Sequence, residues 1–201
     1  MRDWEYSSPG IPDDYFIRAE VPMTKEEIRA VIISKLRLKS DHTVYDIGAG
    51  SGSVSVEMAF LLPEGRVYAL ERKEKALSLI KKNVDNFKLT NIKIIKAEAP
   101  AGIDSLPKPD RVFIGGSGGQ LSAVIETAAQ KLKDSGRIVL TAVTINTLTA
   151  AVQVLERLDY RLDIINLAVT RTKNISNYQM FRALNPVYII SAEKNNYKNR
   201  D

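Results

Sequence analysis

The sequence predicts an α/β fold: a mostly parallel sheet of seven strands with an antiparallel final strand and helices on both faces. Three observations carry this. Short β-branched runs alternate with amphipathic stretches from residue 24 onward. The first run ends in a three-glycine turn that leads straight into a helical stretch, the geometry by which a backbone approaches a bound molecule. The last two runs have no helical stretch between them, which makes them an antiparallel pair.

Residues 1–23 are rich in Pro, Ser, Asp and aromatics, among them Trp4, Tyr6, Pro9, Gly10, Pro12, Tyr15, Phe16 and Pro22. They read as an irregular arm packed on a single domain spanning 24–192, with a polar tail at 193–201 that frays. The first helix is predicted to start at Thr24. Thr24 and Glu27 have capping-box spacing, and Ile28, Val31, Ile32 and Leu36 share a face. Strand 43–47 precedes the glycine turn and helix 53–62, and a turn at Pro63-Glu64-Gly65 leads to strand 66–70. A helix carrying Leu77, Ile80, Val84 and Phe87 precedes strand 92–96, and strand 111–114 is entered through Pro107 and Pro109. After Gly115-Gly116-Ser117-Gly118-Gly119 comes a helix with Leu121, Val124, Ile125, Ala128 and Leu132. Strand 137–143, a helix with Leu148, Val152 and Leu155, strand 161–170 and strand 186–190 complete the pattern.

The chain has 201 residues, enough for one full core, with 44% hydrophobic and 26% charged residues. It has no cysteine, which excludes disulfides, thiolate nucleophiles and iron–sulfur clusters, and the single histidine, His42, cannot assemble a histidine metal site. No apolar run reaches membrane-spanning length and no signal-peptide pattern opens the chain, so a cytoplasmic location is expected, with no membrane partner. The net charge of +5 attracts anions in general, but no block of five basic residues points to nucleic acid.

The glycines in Asp46-Ile47-Gly48-Ala49-Gly50-Ser51-Gly52 follow G-x-G-x-G, so the third comes one residue earlier than in the dinucleotide fingerprint. A carboxylate at Asp46 would repel a pyrophosphate and suits a ligand with an ammonium group. S-adenosylmethionine has an ammonium, a sulfonium and no phosphate. The motif therefore points to a Rossmann-like, class I S-adenosylmethionine-dependent methyltransferase, with S-adenosylhomocysteine as product. Gly48, Ala49, Gly50, Ser51 and Gly52 are expected to hold the methionine part through amides and the following helix start. Glu71 ends the second strand, where an acid accepts from both ribose hydroxyls, of S-adenosylmethionine and NAD alike. Ala97-Glu98-Ala99-Pro100 follows the third strand, where an adenine would sit. Glu98 fits either an adenine contact or a plain loop carboxylate. Thr24, a cap by its spacing, is also placed to touch the cofactor.

For a substrate, the bare backbone at Gly115, Gly116, Ser117 and Gly118 suits a bulky planar molecule, Thr141 and Thr144 offer hydroxyls, and Arg171 and Lys173 suit carboxylates. No residue is assigned a catalytic role and no metal site is predicted.

Taken in order, Ile11-Pro12-Asp13-Asp14-Tyr15-Phe16, Pro22-Met23-Thr24-Lys25, the 46–52 turn, Ala97 to Pro100, Phe113 to Gly119 and Thr141-Ala142-Val143-Thr144 resemble the decarboxylating precorrin methyltransferases of cobalamin biosynthesis. The Gly-Gly-Ser-Gly-Gly turn and the Pro-Met-Thr segment are the specific parts; the 46–52 motif is generic to the class I fold. Asn146 stands where an acid is expected in that family. The resemblance is strongest to the stand-alone branch of the anaerobic route. It implies methylation at C15 of cobalt-precorrin-6B, loss of CO2 from the C12 acetate, and cobalt-precorrin-7 as product. It implies cofactor contacts at Thr24, Gly48 to Gly52, Glu71 and Ala99 and a homotetramer, and leaves open whether a separate C5-methyltransferase subunit carries the C5 methylation. Three other readings stay open on residues alone: an RNA methyltransferase of the same fold, a nicotinamide dehydrogenase, and a protein that senses S-adenosylmethionine without catalysis.

Overall fold

The computed structural model describes residues 4–195. Among the described residues the elements run α1 (Glu26–Leu36), β1 (Thr43–Ile47), α2 (Ser53–Phe60), β2 (Arg66–Glu71), α3 (Glu74–Asn86), β3 (Ile92–Lys96), β4 (Arg111–Ile114), α4 (Leu121–Lys131), β5 (Arg137–Ala142), α5 (Ile145–Arg157), β6 (Tyr160–Leu167), β7 (Thr170–Ile175), β8 (Tyr178–Ala183) and β9 (Val187–Lys194). Seven of these strands form the main sheet in the order β3-β2-β1-β4-β5-β9-β6, and β7 with β8 forms a separate hairpin. The order reverses between β1 and β4, and such a switch point opens a crevice at the carboxyl ends of the strands.

Strand alternation sends successive side chains to opposite faces. Val44, Val67, Phe113, Val139 and Ile189 pack with Ile28, Ile32 and Leu36 of α1 and Val54 and Met58 of α2. Their neighbours Tyr45, Val112, Ile114, Ile138 and Leu140 pack with Val124, Ile125 and Ala128 of α4 and Ala151 and Leu155 of α5. The expected helix layer on each face is present. The same alternation puts Asp46 on the α2 side, two residues after Val44.

The arm packs through Ile11 and Phe16, buried against Val56 and Phe87, with the Phe16 and Phe87 rings 5.1 Å apart. Its polar anchor is Arg29, fully buried in α1. Arg29 Nε donates to Glu57 Oε1 at 2.7 Å and one terminal nitrogen donates to Asp13 Oδ1 at 2.8 Å. The guanidinium also donates to the carbonyls of Thr24 and Ile11. Glu57 in turn accepts from the amides of Gly10 and Ile11. A buried cation with two buried carboxylates and two carbonyls meets the condition under which a buried charge is tolerated.

Four expectations change. Helix α1 starts at Glu26 with Lys25 as its cap, and no side chain at that cap closes a capping box. Asp13, brought in by the arm, accepts from the Glu26 amide at 3.1 Å and does the capping from a distant segment. The predicted strand 161–170 stops at Leu167, and a hairpin over 170–183 was not foreseen. Every position of β8 and all but one of β7 are exposed, so the hairpin lacks the one-sided apolar alternation that marks a strand. Strand β9 runs to Lys194 and pairs antiparallel with both β5 and β6, so Glu193 and Lys194 do not fray; residues 196–201 of the predicted tail lie outside the described residues. Among the described residues no helix is long and apolar enough to cross a membrane.

Candidate cofactor and substrate site

A cavity of about 510 Å³ lies along the carboxyl edge of the main sheet. Its lining comes from the ends of β1, β2 and β3 on one side and of β4 and β5, with the segments flanking the hairpin, on the other. The arm's residues 21–25 form a strap along it.

All three glycines after β1 have positive φ, and two of them meet a close neighbour besides. Gly48 has φ +73°, and a Cβ there would lie 2.7 Å from the Gly116 nitrogen, so the turns after β1 and β4 touch. Gly50 has φ +56° with nothing closer than 3.5 Å, so its backbone conformation sets the need. Gly52 faces Ile80 of α3, with side-chain contacts starting at 3.1 Å, and does not line the cavity. Its φ of +76° calls for glycine as well, and it stands behind the cavity wall rather than on it, where a cofactor contact was expected. The turn's amides are largely occupied from within. Gly48 and Ala49 donate to the Leu70 carbonyl, Gly50 donates to Glu71 Oε2, and Gly52 donates to the Ala49 carbonyl. The turn acts by shape more than as a set of free donors. Asn83 of α3 holds it in place, donating to the Ser51 carbonyl at 2.9 Å and accepting from the Ile17 amide at 2.8 Å.

Asp46, Glu71 and Glu98 line the cavity from this half. Asp46 is fully buried, accepts from the Ser55 hydroxyl, and leaves Oδ1 with no hydrogen-bond partner among the described residues. Burial pushes its carboxyl up to about 7; the Ser55 bond opposes this and the Glu71 charge adds to it. An orphaned, buried carboxylate oxygen on a cavity wall fits an ammonium group. Glu71 is held rigidly, with Oε2 accepting from Gly50 at 3.0 Å and Oε1 from the Arg72 and Lys73 amides at 2.8 and 2.9 Å. Each oxygen is thereby aimed, and each carboxylate oxygen has capacity for more than one donor. Beyond it, Ala97, Glu98 and Ala99 line the end of the cavity. Glu98 pairs with Arg72 at 2.7 Å, beside Gly118.

The other half is different in kind. Val143, Val169, Leu184 and Val187 supply an aliphatic wall, with Thr141, Asn185 and the Gly115–Gly118 backbone as its polar points. Val143 is 69% exposed at the mouth, and Ile145, which begins α5, is 80% exposed.

Thr24, Gly48, Ala49, Gly50, Ser51, Glu71, Ala99, Gly115, Gly116, Ser117 and Gly118 all line this cavity. Thr144 and Arg171 do not, nor do Asn146 and Lys173. Thr144 caps α5 instead, its hydroxyl accepting from the Thr147 amide at 3.1 Å. Arg171 is bound by Glu27 at 2.5 Å and Asp13 at 3.1 Å, so its charge is directed at protein carboxylates. Glu27 above all, and Asp13, hold that guanidinium in its charged form. Sequence reasoning missed the aliphatic wall, Asn83 and the Arg29 anchor. A charged Glu57 inside the apolar run VSVEMAF and an arginine beside the apolar stripe of α1 were the available signals.

Comparison with known proteins agrees with this geometry. The family model described as a precorrin methyltransferase domain matches residues 15–194. A relative from Pyrobaculum calidifontis, named probable cobalt-precorrin-6B C(15)-methyltransferase (decarboxylating), is 44% identical over 94% of this chain and 98% of its own. The Salmonella typhimurium protein of that name is 39% identical, over 94% and 98%. The crystal structure of a precorrin-6y C5,15-methyltransferase from Geobacter metallireducens superposes with a TM-score of 0.89 at 49% identity, covering 94% of this chain and 98% of that one. An aimed acid pair at one end of a cavity, an aliphatic wall at the other and a family model spanning nearly the whole chain place this chain in the precorrin methyltransferase family.

Proposed function

We propose that this chain methylates C15 of cobalt-precorrin-6B with S-adenosylmethionine and removes CO2 from the C12 acetate, giving cobalt-precorrin-7. The observation that carries it is the division of one cavity into a half with two aimed carboxylates and a half with an aliphatic wall, in a chain whose relatives carry that activity in their names.

In this reading Asp46 takes the ammonium, Glu71 the ribose hydroxyls, and the Ala97–Ala99 segment the adenine. S-adenosylmethionine, when bound, supplies an electrophilic methyl group. The residues of this chain chiefly position. Asp46 and Glu71, both immobilised, fix the donor, and the Gly115–Gly118 backbone admits a planar macrocycle close to it. Holding reacting atoms near contact is worth about 7–11 kcal/mol of barrier in favourable cases. The macrocycle, too large to share the cavity with the cofactor, lies across its mouth against Val143 and the wall behind it. An aliphatic wall disfavours the charged acetate relative to neutral CO2, and the conjugated ring takes up the electron pair left behind. Cobalt enters as part of the substrate.

We also assign a homotetramer, with C5 methylation left to a separate subunit. Supporting the assembly, the β7–β8 hairpin exposes Ile175 at 48%, Tyr178 at 75%, Met180 at 52% and Phe181 at 82%. A two-stranded hairpin with both faces in water is marginal by itself, and a second copy would cover it. Light scattering of Phe181→Glu is expected to show a smaller species than the parent chain.

The test of function is mass spectrometry of cobalt-precorrin-6B incubated with the protein and S-adenosylmethionine. Gain of one methyl with loss of one CO2 is expected. Methyl gain without CO2 loss would take the decarboxylation away from this chain, and no change with cofactor binding intact would sink the reading.

A further inference from the structure

We propose that Arg171 is a positioning residue for the substrate wall: it locks the base of the β7–β8 hairpin to the amino end of α1, and so sets Val169 and Leu184 in place. This rests on the substrate reading above and gives the hairpin base a part in it.

The wall residues Val169 and Leu184 flank the hairpin and are joined by a hydrogen bond from the Leu184 amide to the Val169 carbonyl at 2.9 Å. Val169 packs against the core under α1 and α2 and so holds one side of that pair, but among the described residues the hairpin strands beyond it add no such packing. These strands pair with each other, and all positions of β8 are exposed. In the hairpin register Arg171 stands opposite Arg182, a like-charge cross-strand pair that disfavours the hairpin unless carboxylates offset it. Arg171 is also the one position of β7 that is half-buried rather than exposed. Its guanidinium meets Glu27 in a two-point fork, Nε to Oε1 at 2.7 Å and one terminal nitrogen to Oε2 at 2.5 Å, while the other terminal nitrogen reaches Asp13 Oδ2 at 3.1 Å. Bidentate pairing constrains orientation as well as distance. The far side of the lock is rigid. Glu27 lies in the first turn of α1, and Asp13 is held by buried Arg29 and by the Glu26 amide. The strap residues Thr24 and Lys25, which line the same cavity, sit between these anchors. Arg171 therefore ties two irregular walls of the cavity, strap and hairpin base, to one another. A direct role on a substrate carboxylate would need the guanidinium to leave both acids.

The experiment compares Arg171→Gln, Glu27→Gln, Arg171→Lys and the double variant Arg171→Gln with Glu27→Gln. If the lock positions the wall, Arg171→Gln and Glu27→Gln each raise the KM for the tetrapyrrole by about tenfold, and the double variant is no worse than either. Arg171→Lys falls between, and cofactor affinity by calorimetry stays within about twofold. A KM raised by Arg171→Gln but unchanged or lowered by Glu27→Gln would overturn the proposal in favour of direct substrate contact. Hydrogen exchange of the same variants needs no substrate. Faster exchange over residues 169–184 in both single variants is expected, and unchanged exchange there would overturn the lock. An inactive parent chain with that exchange response would sink the substrate reading while leaving the lock in place.

Discussion

The two halves of the cavity solve opposite problems. The β1–β2 half is polar and over-determined: Glu71 accepts three backbone hydrogen bonds, Asn83 pins the glycine turn, and Asp46 is shut away from water. The half beyond β4 is aliphatic and is assembled from segments far apart in the chain, with Arg171 and Glu27 among the ties between them. A small, flexible, charged ligand has to be frozen in one pose, and fixed polar groups do that. A broad macrocycle has to be laid against a surface and kept dry, which shape and apolar area do. The difference teaches that precision is concentrated where the ligand has many torsions.

The largest expected effect strikes the strap common to both halves. Arg29→Ala leaves Glu57 buried without its cation and takes from Asp13 the nearest of its cations, and is expected to cost about 3–5 kcal/mol of stability. Chemical denaturation measures it, and a loss below about 1 kcal/mol would mean that water reaches the cluster. Next, Glu71→Ala should weaken cofactor binding by about 1–3 kcal/mol in calorimetry. An unchanged affinity would detach Glu71 from the ligand and blur the contrast between the halves.

Asp46 sharpens the contrast through pH. Its folded value of about 7 stands above the usual 3.8, so between those values the folded chain holds more proton than the unfolded one. Its contribution to stability is therefore full below the unfolded value, falls as pH rises toward about 7, and is flat above. An ammonium ligand favours the carboxylate, so cofactor binding should release a proton below that pH and tighten as pH rises to it. Calorimetry at about pH 6 and about pH 8 checks this, and Asp46→Asn should flatten the dependence. The smallest effect belongs to Thr144, which serves α5 rather than either half. Thr144→Ala should lower stability by about 1 kcal/mol in thermal unfolding and leave the KM for both ligands unchanged.

Much of the polar half was legible because its chemistry is contiguous. Asp46 through Ser51 lie in one motif, and Glu71 falls at a strand end that periodicity locates. What each glycine does was not legible, since Gly48 answers to Gly116 and Gly52 to Ile80, residues far off in the chain. The aliphatic half was legible only at Gly115–Gly118. A valine at 143, 169 or 187 looks like core in any strand, and its exposure to the cavity depends on where β9 inserts. Arg171 shows what sequence leaves out: a basic residue after a strand suits an anionic substrate, and only the fold brings two acids to it from the arm and α1. The capping of α1 failed in the same way, because Asp13 reached the Glu26 amide from another segment.

The sequence distances of these ties have a consequence for how the molecule comes into being. The arm is made first, but its polar anchors wait: Ile11 for Glu57, 46 residues later, and Ile17 for Asn83, 66 residues later. The fork between Glu27 and Arg171 spans 144 residues and forms only after nearly all strands exist. Closing so long a loop carries entropy that local contacts do not, so it comes late on any folding route. Once residue 99 has been made, every segment that lines the Asp46–Glu71 end of the cavity exists, whereas Val143, Val169, Leu184 and Val187 of the opposite wall are still to come.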